Sequence, residues 1–130
     1  MIIGGFALSL HGFIRATKDI DLLIPQDVTN TQTILEALKE GLVFGIAAEM
    51  DAEEVTHKPI TIIGDTPRVD LLTVASRVKY QEAKGGALET RVDGVRIPYV
   101  DLKTLVKTKQ TGRLQDKADI ERLKKILKKI

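Results

Sequence analysis

The sequence predicts an α/β (α+β) domain: a mixed β-sheet flanked by helices and finished by C-terminal helices. Three observations carry this. Short apolar runs of strand length alternate with segments of helical periodicity along the chain. Asp93-Gly94 stands between Arg91-Val92 and Val95-Arg96-Ile97, the pattern of a type I′ hairpin. Residues 115–129 carry Ile120, Leu123 and Leu127, with Ile130 beyond, on one helical face.

The elements follow in chain order. Met1-Ile2-Ile3 is the stub of a first strand, and residues 5–11 read as a short helix stopped by Gly12. Residues 18–24 form a buried strand ended by Pro25. Thr29, Asn30 or Thr31 can cap a helix with Ile34, Leu35 and Leu38 on its buried face and Gly41 as its stop. Residues 42–57 are ambiguous: a short strand near Leu42-Val43-Phe44, then an Ala/Glu-rich piece of helical composition, with His57 in an exposed loop. Residues 60–63 and 68–74 are strands joined by a turn at Gly64-Asp65-Thr66-Pro67. Residues 76–84 read as a helix ended by Gly85-Gly86. Pro98 places the second hairpin arm on a sheet edge, because proline cannot donate to a ladder. Asp101 caps a helix that buries Leu102, Leu105 and Val106, and the helix over 115–129 follows. No repeat, linker or low-complexity segment divides the chain, so residues 1–130 are taken as one domain.

Composition narrows the function. The chain has 130 residues, 43% hydrophobic and 29% charged, which describes an ordinary globular domain. It contains no cysteine, which excludes disulfides, thiolate metal sites and a cysteine nucleophile. No apolar run reaches membrane-spanning length and no signal peptide is visible, so no membrane partner and a cytoplasmic location are expected. The net charge of +2 hides an asymmetry: residues 102–130 hold ten of the 20 Lys and Arg against three acids. A basic end of this kind suits phosphate-rich partners, or is simply a solvated helix face.

Chemistry concentrates in residues 4–21. Asp19 and Asp21 are two apart in a strand, so both project from one face while Ile20 points to the other. Two like charges roughly 6–7 Å apart repel unless a cation lies between them. A hard cation such as Mg²⁺ binds through one or two carboxylates plus substrate phosphates. Gly4-Gly5 opens a helix after a strand stub, and a glycine pair there lets backbone N–H groups approach a phosphate. Arg15 and Lys18 lie between and can meet phosphate oxygens. Asp70 sits mid-strand in Arg68-Val69-Asp70-Leu71-Leu72, where an acid without a partner is costly. Its alternatives are a third metal ligand or a salt bridge with Arg68 or Arg15.

The string of Gly4, Gly5, Ala7, His11, Gly12, Arg15, Thr17, Asp19, Ile20 and Asp21 resembles the minimal nucleotidyltransferases of the DNA-polymerase-β-like superfamily, those of abortive-infection and toxin–antitoxin type. Asp101-Leu102, Lys107 and Gly112-Arg113 through Asp119-Ile120 extend the resemblance over nearly the whole chain, least over residues 42–60.

The resemblance implies a nucleotidyltransferase fold and a Mg²⁺-dependent, ATP-binding transferase that moves NMP from an NTP, ATP by expectation, to a hydroxyl. The acceptor would be a tRNA end, a partner protein or a small molecule. It further implies a two-metal site, open to Mn²⁺ as well, in which Asp19 and Asp21 bridge the metals and Asp70 binds the catalytic one. Gly4, Gly5, Ser9, Arg15, Lys18, Lys107 and Arg113 would contact nucleotide. Arg15 has a second option, orienting Asp19, and Arg113 and Lys117 can instead pair with Asp116 and Asp119. Thr17 is expected to tie the turn before the strand, and His11 to pack at a helix end. Relatives carry a helix and a full strand before the glycine pair. Here three residues precede it, from which a homo-oligomer covering exposed apolar surface is expected. The competing function is a catalytically silent nucleotide-binding or antitoxin-like module. Leu23 stands where a haloacid-dehalogenase-type phosphatase needs Thr or Val, and a glycosyltransferase needs a longer domain.

Overall fold

The computed structural model describes residues 1–41 and 44–129. Strand β1 (Ile2–Ile3) runs straight into helix α1 (Gly4–Leu10), and β2 (Asp19–Leu23) follows after a loop. Helices α2 (Val28–Glu40), α3 (Phe44–Ala48) and α4 (Ala52–His57) come next. Strands β3 (Ile60–Gly64) and β4 (Arg68–Leu72) form a hairpin through Asp65-Thr66-Pro67. A small ribbon of β5 (Val74–Ala75) and β6 (Val78–Lys79) leads to α5 (Tyr80–Lys84). The hairpin β7 (Leu88–Val92) and β8 (Val95–Tyr99) precedes α6 (Leu102–Thr108) and α7 (Leu114–Lys129).

The main sheet has six strands in the order β3-β4-β2-β1-β8-β7. It is mixed: β2–β4 and β1–β8 are parallel, and the other pairs are antiparallel. An α/β domain with a mixed sheet and C-terminal helices is therefore present.

Strand alternation sorts side chains between two cores. On one face Ile20, Leu22, Ile63, Val69 and Leu71 pack with Leu35, Ala47 and Val55 of α2, α3 and α4. On the other, Ile3 and Leu23 join Leu8, Val100, Leu105 and Leu123 beneath α1, α6 and α7. This second core covers the face only in part. On β4's outward row Leu72 packs against this core, while Arg68 and Asp70 and the N-terminal end of β2 lie beyond it, and the acidic residues stand there.

Several elements differ from the sequence expectations, each for a local reason. The α2 cap is Asp27, whose carboxylate accepts from Asn30 N at 3.2 Å, so the helix starts before Thr29. The strand expected near Leu42-Val43 lies outside the described residues, while Phe44 opens a helix. His57 ends α4, with Nδ1 2.8 Å from Glu53 O. The helix expected over 76–84 begins only at Tyr80, because Ser76 and Arg77 take φ of 46° and 72° and turn the chain between β5 and β6. Asp93 and Gly94 both have positive φ, 51° and 79°, as the hairpin motif requires. Pro98 is not on an edge strand, since β8 lies between β7 and β1. It is tolerated because β1 meets β8 only at Ile2–Tyr99, leaving no ladder partner at Pro98 on that side.

Candidate active-site cleft

The register of β2, β4 and β3 builds the floor of a cleft. Asp19 stands opposite Arg68, Asp21 opposite Asp70, and Asp70 opposite Ile62. Paired residues point to the same face, so two strands bring three carboxylates and a guanidinium together, with Ile60 and Ile62 beside them. The cleft has a volume of about 750 Å³. Gly4, Gly5 and Lys18 form one wall, Lys109, Arg113 and Asp116 another, and Pro59, Ile60 and Ile62 an apolar margin.

Close packing ties the glycines to the acids. Gly4 has φ of 68°, and a Cβ added there would run into Asp21 Oδ2. A Cβ on Gly5 would press on Thr17 at 3.0 Å, and Thr17 Oγ1 donates to Asp19 O at 3.3 Å. The glycine pair, the turn before β2 and the first acid are thus one packed unit, with backbone left open to a ligand.

The electrostatics are unbalanced around Asp21. Burial pushes its pKa up to about 6, helped by the charge of Asp70, a side-chain hydrogen bond with Asp70 and the charge of Asp19, and opposed by Arg68. Asp70 is 4% exposed and receives a two-point bond from Arg68: Nε to Oδ1 at 3.0 Å and Nη2 to Oδ2 at 2.9 Å. Nη2 also lies 3.3 Å from Asp19 Oδ2. The donor chemistry suits a hard divalent cation, since all three groups are carboxylates. Among the described residues, however, no three Asp, Glu or His groups stand close enough to hold one metal ion as they are. Arg68 already satisfies two of the three.

The structure brings most of the sequence candidates together. Asp19, Asp21, Asp70, Gly4, Gly5, Arg15, Lys18 and Arg113 all line the cleft. Two do not. Ser9 Oγ donates back to Gly5 O at 3.2 Å, as mid-helix serines do, and does not reach the cleft. Lys107 points away and pairs with Glu82 at 3.1 Å; two residues on, Lys109 faces the cleft, because a helix turns by about 200° over two residues. Arg15 lines the cleft but binds Asp119 through Nη1 at 2.6 Å, not Asp19. Thr17 ties its turn as expected. His11 packs at the end of α1, its Nε2 donating to Val100 O at 2.7 Å and its ring edge-on to Tyr99.

An ionic network stands at the back of the cleft; the sequence offered its Arg113–Asp116 pair as an alternative but missed the links from Lys109 and Arg15. Lys109 is 5% exposed, with Nζ 3.4 Å from Asp116 Oδ1 and 3.0 Å from Asp119 Oδ2. Asp119 also takes Arg15, and Asp116 takes Arg113 Nε at 2.7 Å and the Thr111 hydroxyl. Burial alone would raise the Asp116 pKa; the bonds from Thr111 and Arg113 and the charge of Lys109 outweigh it and hold the pKa low. Three cations, Arg15, Lys109 and Arg113, face two carboxylates here, so the network keeps a positive excess on its side of the cleft. The conflict of a buried lysine with its surroundings has no periodic signature, and only the nearby Asp116 and Asp119 hinted at it.

No family model matches the chain, and no curated protein matches it either.

Proposed function

We propose that this cleft transfers a nucleotidyl group: NMP from an NTP, ATP by preference, to an acceptor hydroxyl, with Mg²⁺ as cofactor, and that the chain has the nucleotidyltransferase fold of the polymerase-β-like superfamily. The observation that carries it is the convergence of Asp19, Asp21 and Asp70 from two neighbouring strands onto one cleft floor, beside a side-chain-free glycine pair and a cationic wall. Acidic groups held this close to one another, one with its pKa raised to about 6, are kept at the expense of stability.

The roles follow from position. Gly4 and Gly5 let phosphates approach the backbone, while Lys18 and Arg113 supply charge to the β- and γ-phosphates. The Lys109 network holds Arg113 and the start of α7 against that wall. Asp19, Asp21 and Asp70 offer oxygens to Mg²⁺, which when bound would polarise the α-phosphate and acidify the acceptor hydroxyl. Asp70, nearest the apolar margin of Ile60 and Ile62, receives the acceptor proton. The acceptor oxygen bonds to the α-phosphorus, the bond to the β-phosphate bridging oxygen breaks, and pyrophosphate leaves. An RNA 3′ end such as that of tRNA, a protein side chain or a small molecule would fit as acceptor.

A second function, nucleotide binding without turnover as in an antitoxin-like module, is favoured by one observation: Arg68 neutralises Asp70 and Asp19 without a metal. One experiment separates the two. Each α-labelled NTP is incubated with the protein, Mg²⁺, RNA and cell lysate. Transfer leaves label on a macromolecule and releases pyrophosphate; a silent module retains nucleotide and does neither.

A further inference from the structure

Arg68 stands where a cation would bind. It precedes Asp70 by two residues on β4, so both side chains leave the same face, and it is the register partner of Asp19 on β2. Its guanidinium therefore spans the two strands, with Nη2 2.9 Å from Asp70 Oδ2 and 3.3 Å from Asp19 Oδ2. Asp70 and Asp19 are two of the carboxylates that would hold Mg²⁺, and the guanidinium already bonds the same two oxygens. Arginine and ion compete for those oxygens. The partners are also unequal in freedom: the Asp70 side chain is 6% exposed and the Arg68 side chain 38%. Asp70 is fixed, and Arg68 has room to swing away.

We propose that Arg68 is a gate that makes this site take its divalent cation as a metal–triphosphate complex and resist the free ion. The proposal rests on the nucleotide-transfer function above and concerns the form in which the site accepts its ligands. A free ion must break a two-point, charge-assisted bond and leave the guanidinium with no anion in exchange. A metal–triphosphate complex carries its own anions into the same cleft. There the fork of Arg68 leaves a carboxylate for phosphate oxygens, which it matches equally well. Arg68 thereby couples the two ligands: each binds better when the other is present, by the same factor. A lysine in its place would keep the charge and lose the fork, so it would hold Asp70 less firmly.

Mn²⁺ serves as the probe, its free fraction read by electron paramagnetic resonance. Wild type, Arg68→Gln, Arg68→Lys and, as a charge control in the same cleft, Lys18→Gln are titrated with Mn²⁺ alone. The titrations are then repeated with an α,β-methylene nucleoside triphosphate. Circular dichroism establishes that each variant is folded, and Arg68→Lys carries the test where Arg68→Gln does not fold. Wild type should bind Mn²⁺ alone weakly and gain about tenfold or more with the analogue, the scale of a charged hydrogen bond. Arg68→Gln should bind Mn²⁺ alone about tenfold tighter than wild type, with the coupling to nucleotide largely lost. Arg68→Lys should fall between them, and in the titration with Mn²⁺ alone Lys18→Gln should change binding much less than Arg68→Gln does. Equal Mn²⁺ affinity in wild type and both Arg68 variants, with the analogue still bound, overturns the gate and leaves nucleotide transfer standing. No binding of Mn²⁺ with analogue to wild type overturns both.

Discussion

Asp21 concentrates the conflict that the cleft contains. Unfolded, it titrates near the ordinary value of 3.8; folded, burial and its neighbours move it to about 6. Between those two values the folded chain binds more protons than the unfolded chain, so stability falls as pH rises through the window and is recovered as pH drops. Asp21→Asn removes the charge and keeps the shape. In melts with EDTA, the variant should therefore exceed wild type above about pH 7 and lose that advantage toward about pH 4. A difference that stays constant across the range would mean Asp21 is not strained. A second residue conflicts with its surroundings more simply. Thr61 is 8% exposed, and its Oγ1 is buried with no hydrogen-bond partner among the described residues. Thr61→Val should gain about 1 kcal/mol in urea unfolding. A loss would show that the hydroxyl has a partner. The residue scale was also where the sequence was most legible. An acid at i and i+2 in a strand declares a shared face, and an acid inside an apolar strand declares a need, which is why Asp19, Asp21 and Asp70 could be singled out. Arg68 could be named as a partner for Asp70 by the same alternation.

At the scale of elements, legibility depended on whether a signal was local. The Asp93-Gly94 turn and the Asp101 cap, which accepts from Thr104 N at 2.8 Å, are short-range and stood where expected. The turn at Ser76-Arg77 could not be read, because neither residue favours positive φ and the tertiary contacts impose it, Ser76 Oγ lying 3.2 Å from Thr108 O and Gln110 O. The Lys109 network was hidden for another reason. It joins the end of α6 to α7 across Gly112, so its spacings of seven and ten residues run between two elements and not along one helix face, and it recruits Arg15 from the far side of the chain. These contacts dock α7 beside the cleft. Lys109→Met should cost about 3 kcal/mol, the low end for breaking a buried ion pair, because Arg15 and Arg113 still serve the two acids. Urea unfolding measures this, and hydrogen exchange should show α7 amides losing protection first. An unchanged stability would reduce the network to a surface ornament of the cleft.

Across the whole molecule, the sheet separates two cores, and the site occupies the part of one face that neither core covers. No helix among the described residues is long and apolar enough to cross a membrane. The charges are distributed unevenly: Lys18 stands by the glycines, Lys109 and Arg113 on the other wall, and further basic residues along exposed positions of α7, while Asp19, Asp21 and Asp70 meet on the floor between β2 and β4. That separation is what in-line transfer from a triphosphate needs, anions held on one side and the reacting phosphorus brought to the carboxylates. The position of the labelled phosphorus tests this most directly. Wild type and Asp70→Asn are incubated in parallel with α-labelled and γ-labelled ATP, Mg²⁺, RNA and lysate, and label on macromolecules is counted. Nucleotidyl transfer by this cleft requires, above the background of lysate alone, α-label on an acceptor, no γ-label, and loss of the α-label signal in Asp70→Asn. Transfer of γ-label, or α-label undiminished in Asp70→Asn, would contradict it.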